Sequence, residues 1–284
     1  ETTESEGLTA FGADGFTVGS SAQVNTNTED FVSWNWLAGG SASSNSAGDI
    51  TSSVSANTKP GFSIVGYTGD SSSATRTIGC GLTKKPEMVI LKNRTEDSVS
   101  DSWFVWHTAF GTASPSKYMT LFNNDDVASS GVFVDSSFSD NSGNALFAVN
   151  GGYNGVNKSG TTYIAYCFNS IEGYSKMGSY TGNGSNDGTF VFLGFRPSWI
   201  MTKRSNSTSD WIIQDNKRQT FNPSDAWLRP NLNNVEGTTS PDLDLDFVSN
   251  GFKIRNNGTN SNIDGSTYIY MAFAEMPFKY ANAR

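Results

Sequence analysis

The chain has 284 residues, of which 36% are hydrophobic and 13% aromatic, with 29 Gly and only 16% charged residues. Such a composition excludes a disordered or collagen-like chain, because Trp, Tyr and Phe are plentiful enough to fill a core, and the length suits two domains of about a hundred residues each with a remainder. A net charge of -8 excludes binding through nucleic-acid phosphates, which needs clustered Lys and Arg, and no apolar run approaches the ~18 residues of a membrane helix, so no membrane insertion is expected.

The first residues, "ETTESEGLTAFG", are polar, lack Met and carry no signal-peptide pattern. Asp14 to Gly40, "DGFTVGSSAQVNTNTEDFVSWNWLAGG", parallels Asn250 to Met276, "NGFKIRNNGTNSNIDGSTYIYMAFAEM". Residues 1–40 are therefore expected to be the C-terminal part of a preceding repeat, in a protein that extends before Glu1. Residues 41–58, "SASSNSAGDITSSVSANT", read as a flexible Gly/Ser/Asn/Thr-rich linker.

From residue 59 a long unit is written twice, as 59–174 and 175–284. "KKPEMVILKNR" (Lys84 to Arg94) returns as "FRPSWIMTKRS" (Phe195 to Ser205). "DSWFVWHTAF" (Asp101 to Phe110) returns as "SDWIIQDNKRQTF" (Ser209 to Phe221), and "GTTYIAYCF" (Gly160 to Phe168) as "GSTYIYMAF" (Gly265 to Phe273). The order is preserved and the offset shrinks along the chain, as when loops are shortened between related domains. Short Val-, Ile- and aromatic-rich runs bounded by turn residues predict strands. "TTYIAYCF" and "STYIYMAF" are apolar at alternate and intervening positions, which predicts inner strands covered on both faces. "DLDLDFVS" (Asp242 to Ser249) predicts a half-buried strand with Leu243, Leu245 and Phe247 inward. "DGF" and "NGF" carry hairpin signals. The expected fold is all-β: two tandem antiparallel β-sandwich-like repeats plus the C-terminal part of a preceding one.

Chemistry-bearing residues are sparse. Cys80 and Cys167 sit in apolar strand contexts and read as free thiols, with a disulfide between them left open. His107 stands alone, and its counterpart in the second unit is Asp215, so the unit does not need an imidazole there. One His and two separated Cys lack zinc spacing. Asp125 and Asp126, and the ladder Asp242, Asp244 and Asp246, are the carboxylate groupings. They read as solvated faces, the ladder being a weak calcium candidate, and a hydrolytic dyad is the alternative. The glycines of "TGNGSNDG" (Thr181 to Gly188) precede a strand, so they are no phosphate loop. Sequons begin at Asn93, Asn157 and Asn183 and matter only in a glycosylating host. Of seven Trp, Trp103 and Trp211 recur between units and read as core, whereas Trp106 and Trp227 do not recur. Those two, with Tyr153 near the tip of the unmatched loop Ser136 to Gly160, are the candidates for receptor binding or an interface.

The phrases "GYSKMGSYTGNGSNDGTFVFLGFRPSWIMTKR", "AWLRPNLNN" and "TYIYMAFAEMPFKYANAR" resemble an uncharacterised repeat domain of marine bacteriophage and cyanophage structural proteins, often labelled tail-fibre-like. The resemblance spans Asp14 to Arg284 and brings no catalytic residues. It implies a virion protein, non-enzymatic and without cofactors: a tail fibre or spike module adhering to a host-surface glycan or outer-membrane protein, in contact with other virion proteins. A homotrimer is expected by analogy with phage fibres. The alternatives are a capsid decoration, head fibre or connector, and a glycan depolymerase.

Overall fold

The computed structural model of the chain describes residues 4–95, 102–111, 117–121, 123–129, 131–238 and 243–275. It divides into two compact units, Glu1–Leu37 and Ala38–Arg284. In the first, β1 (Leu8–Phe11) and β2 (Phe16–Val18) make an antiparallel hairpin with Phe11 opposite Phe16, followed by the single-turn helix α1 (Ala22–Asn25). The hairpin signal at Asp14-Gly15 holds: the Gly12 N–H donates to the Gly15 carbonyl at 2.8 Å. The expected terminal strand of a truncated repeat does not form, because the phrase from Glu29 to Trp36 is not in a strand and leaves Phe31 52% exposed. Its later copies lie between two neighbouring strands. One short hairpin supplies no such pair.

The second unit is all-β. Its first part carries β3 (Ser43–Asn45), β4 (Ser52–Asn57), β5 (Phe62–Thr68), β6 (Arg76–Gly79), β7 (Met88–Asn93), β8 (Phe104–His107), β9 (Lys117–Thr120), β10 (Ala128–Ser129), β11 (Leu146–Val149), the short helix α2 (Asn154–Asn157) and β12 (Thr162–Phe168). Eight strands form one antiparallel sheet in the order β10-β9-β8-β7-β12-β5-β4-β3, and β11 pairs with β6 in a second sheet. The second part carries β13 (Ser175–Thr181), β14 (Phe190–Phe192), β15 (Pro197–Arg204), β16 (Ile212–Asp215), β17 (Leu245–Val248), β18 (Gly251–Ile254) and β19 (Thr267–Ala274). Here the sheets are β13-β19-β15-β16 and β14-β18-β17.

The same frame is built twice. The run β5-β12-β7-β8 matches β13-β19-β15-β16, and β6 and β11 match β14 and β18. Register confirms the match residue by residue: Met88 faces His107 as Trp199 faces Asp215, and Tyr163 faces Tyr67 as Tyr268 faces Tyr180. In the second repeat Tyr180, Ile200, Tyr268, Tyr270 and Ala272 of one sheet pack on Val191, Leu245, Phe252 and Ile254 of the other in one core. That is a two-layer sandwich. A glycine of positive φ follows β6 and β14 alike, Gly81 at +70° and Gly194 at +86°, a conformation open to Gly because it has no Cβ.

Residues 41–58 are not a linker. β4 pairs along β5 from Ser52 opposite Tyr67 to Asn57 opposite Phe62, and β3 pairs with β4. The polar composition hid the strand because its hydroxyls are spent internally: Ser52 donates to the Gly79 carbonyl at 2.7 Å and Ser55 to the Gly40 carbonyl at 2.6 Å. Its few apolar side chains, Ile50 and Val54, are buried. Likewise the segment 136–160 is not all loop, since β11 within it is a sandwich strand.

The two repeats share one body. The Phe168 and Phe273 rings meet edge-on at 6.2 Å, the Trp211 indole N–H donates to the Thr120 carbonyl at 3.0 Å, and the Val127 N–H donates to Ser205 at 3.0 Å. This contact explains an asymmetry between the copies of the terminal strand. β19 is buried at every position after its first residue, as expected from apolar residues on both faces. β12 instead alternates, with Thr162, Ile164 and Tyr166 half-buried.

Candidate functional site

Each candidate aromatic is placed by its strand. Trp106 lies on β8 two residues from Phe104, so alternation turns both toward the sandwich core. It is 5% exposed and packs on Phe138 with ring centres 4.5 Å apart, which removes it as a surface platform. Its register counterpart is Gln214, also buried, whose amide donates to the Ser224 and Leu243 carbonyls at 3.3 and 2.9 Å. Trp227 is likewise buried, in a small cluster with Ile212 and Leu243. The Arg229 guanidinium lies 4.2 Å from its ring, and Trp227 exchanges backbone hydrogen bonds with Gly237. Gly237 is required there: a Cβ would fall 2.0 Å from the indole. Tyr153 alone of the three stays half-buried. Its ring meets Phe104 edge-on at 6.0 Å, and its carbonyl accepts the N–H groups of Val156 and Asn157.

The carboxylates are dispersed. Asp242 lies outside the described residues. Asp246 faces Arg255 at 3.4 Å, and the Asp244 carbonyl accepts from Arg255 N–H and the Asn256 amide. Among the described residues no three His, Cys, Asp or Glu side chains come together as a metal cluster. Asp125 and Asp126 are exposed on a loop that binds the second repeat, where the Ser209 N–H donates to Asn124 at 2.9 Å.

His107 is fully buried where the repeats meet. Its Nδ1 accepts the Ala109 N–H at 3.1 Å and its Nε2 lies 3.2 Å from the Tyr270 carbonyl, so the neutral ring carries its proton on Nε2. Burial drives its pKa from 6.5 down to about 4, against the Tyr270 carbonyl, which raises it. Asp215 answers it in the second repeat. Burial opposes its charge, but hydrogen bonds from the Arg218 backbone and guanidinium, at 2.9 and 2.6 Å, hold the carboxyl below its ordinary value.

Cys80 and Cys167 are free thiols in the core of the first repeat; the Cys80 thiol donates to the Ala145 carbonyl at 3.1 Å, and burial pushes the Cys167 thiol well up. Register places Leu193 and Ala272 at the same two positions of the second repeat, both buried.

Sequence reasoning missed two features. The first is a buried asparagine that ties each sandwich. The Asn157 amide donates to the Asp70 side chain and to the Ser72 and Gly151 carbonyls, while its Oδ1 accepts the Asp70 N–H. Asn262 repeats this with the Asn183 side chain, the Ser185 and Asn256 carbonyls and the Asn183 N–H. Both are 0% exposed, so the sequon at Asn157 presents no free amide. Beside each lies a stacked tyrosine pair, Tyr67 with Tyr163 and Tyr180 with Tyr268, both at 5.0 Å. The signal was present as "YTGD" and "YTGN" followed by an Asn six residues before the second Tyr. The second feature is Lys203, wholly buried at the contact between repeats, its Nζ donating to the Arg204 carbonyl at 2.8 Å. Burial lowers its pKa to about 8, while the charges of Asp126, Asp210 and Asp125 raise it.

The family described as a domain of unknown function (DUF7483) matches residues 1–277, across every boundary expected from the sequence. No curated protein and no solved structure matches the chain.

Proposed function

We propose that this chain, which belongs to the DUF7483 family, is a non-enzymatic structural module of a phage virion that serves in adhesion to the host surface. The observation that carries this reading is where the reactive side chains are spent. His107, Lys203, Asp215 and both Cys lie in packing or in the contact between repeats, and Asp246 is in an ion pair. Among the described residues the ion pairs lie within single repeats, and the two sandwiches are joined by packed rings and hydrogen bonds of neutral groups, a continuous body of the kind a load-transmitting appendage requires. The phrase resemblance to phage structural proteins supplies the location. Recognition then falls to loops that differ between the copies, Tyr153 among them.

The test is to purify the chain, measure its binding to host cells, and label virions with antibody against it. Label on an appendage together with saturable cell binding is expected. Label on the shell without cell binding contradicts adhesion, and release of sugar from host glycans contradicts the non-enzymatic reading.

A further inference from the structure

The two repeats differ at one flank. In the first, the side of the sandwich between β5 and β6 is closed by residues 43–57. β4 pairs along β5, and Ile50 bridges Ile78 in parallel, its N–H donating to the Thr77 carbonyl at 3.2 Å. The Asp49 carboxylate takes the Thr77 N–H at 2.9 Å and its hydroxyl at 2.8 Å. Ile50 and Val54 are thereby buried, at 7% and 5% exposure.

In the second repeat the chain passes from Phe168 to Ser175 with no strand between, and among the described residues no strand pairs on the equivalent flank. β13, the counterpart of β5, ends its sheet, and β14, the counterpart of β6, ends the other. The first half of β13 is engaged, since the Met177 N–H donates to the Ser170 hydroxyl oxygen at 3.0 Å. In the second half the Thr181 carbonyl accepts the Thr189 hydroxyl at 2.7 Å, and the outward N–H groups pair with no described strand. Alternation along β13 directs the Ser179 and Thr181 N–H groups away from β19, and both residues are exposed. Beside this edge Phe190 and Phe192 are 45% and 58% exposed. They stand where the first repeat has Thr77 and Gly79, residues small enough for the closing segment to lie against them. At Gly79 a Cβ would meet the Asn45 side chain at 2.2 Å.

We propose that this flank of the second repeat is an acceptor for an extended strand of a partner polypeptide, taken up by strand addition. Such binding draws affinity from main-chain hydrogen bonds and specificity from alternate side chains. The occupant has the chemistry of residues 50–57, the segment that closes the same flank in cis. It is uncharged, with branched apolar residues four apart that face the two aromatic rings and small hydroxyl residues between. Lys176 covers part of this flank, its Nζ donating to the Phe192 carbonyl at 2.9 Å and lying 5.6 Å from the Phe192 ring; exposed aromatic rings beside a sheet edge are a surface that proteins otherwise cover. The proposal is independent of the virion reading, because it concerns the chain alone.

The probe is a fluorescent synthetic peptide of residues 50–57, "ITSSVSAN", titrated into the whole chain by anisotropy. Saturable binding is expected, weakened at least about tenfold by Ser179→Pro, which removes an edge donor, and separately by Phe192→Ser. Peptides with Ile50→Asp or Val54→Asp should not bind. Phe192 is more than half exposed, so its variant keeps the test valid should the proline variant fail to fold. Absence of saturable binding, or equal binding by both variants, overturns the proposal. So does a dimer of the unliganded chain that Ser179→Pro converts to monomer, since the edge would then be closed by a second copy.

Discussion

The first repeat closes its β5 and β6 edges with residues 43–57; in the second, among the described residues, no strand pairs beyond β13 or β14. Everything between those edges is held in common: the strand order, the stacked tyrosines, the buried asparagine and the glycine after the short strand. The comparison separates what the sandwich needs from what each copy adds. Matched positions differ in residue type: Trp106 packs on Phe138 where Gln214 bonds the Ser224 and Leu243 carbonyls, and the Cys pair stands where Leu193 and Ala272 keep the site apolar.

The largest expected effect is at Trp106. Trp106→Ala should cost about 3–5 kcal/mol in urea unfolding, the usual range for emptying a buried indole site. A loss below about 1 kcal/mol would return this residue to the surface. Next are Asn157→Ala and Asn262→Ala. Each removes three donated bonds and one accepted bond, and each should cost roughly 3 kcal/mol. Strongly unequal losses would break the equivalence of the two clamps.

Acid separates the copies at the next level. His107 has its pKa lowered on folding from 6.5 to about 4, so the unfolded chain binds the extra proton between those values. Stability is full above pH 6.5 and falls by about 1.4 kcal/mol per pH unit on the way down. His107→Asn should flatten that slope. Asp215, held below its ordinary value of 3.8, loses its contribution only in more acid solution, so Asp215→Asn should alter the curve below that window and not within it. A slope unchanged by His107→Asn would contradict the buried neutral ring. The smallest effect is expected from Cys80→Leu combined with Cys167→Ala, which installs the second repeat's pair in the first. Thermal or urea unfolding should show a change under about 1.5 kcal/mol, whereas Cys80→Leu alone overpacks and costs about 1–3 kcal/mol.

Much of the frame was legible because its punctuation recurs: Pro86 and Pro197 open one matched strand, and Tyr163 and Tyr268 sit in another. The Leu243, Leu245, Phe247 alternation gave the inward face of its segment. Other features were hidden for physical reasons. β4 reads as a linker because hydrogen-bonded serines look the same in sequence as solvated ones. "TEDFVSWNW" carries the pattern of a terminal strand, but a strand exists only if neighbours are there to pair with it. Trp106 was set apart because it does not recur, yet burial follows strand alternation, and its position beside Phe104 decides it. The asparagine clamps were lost among many loop asparagines, since nothing in a residue's identity tells whether its amide is bonded or hydrated.

The difference between closed and open flanks is tested most directly by hydrogen–deuterium exchange on the whole chain. The account predicts slow exchange along β5 and β6 and at least about tenfold faster exchange of the outward amides of Ser179 and Thr181, as expected where local opening is no longer resisted by a neighbouring strand. Equal protection of the two flanks would mean that the second repeat's edge is already covered, and would contradict it.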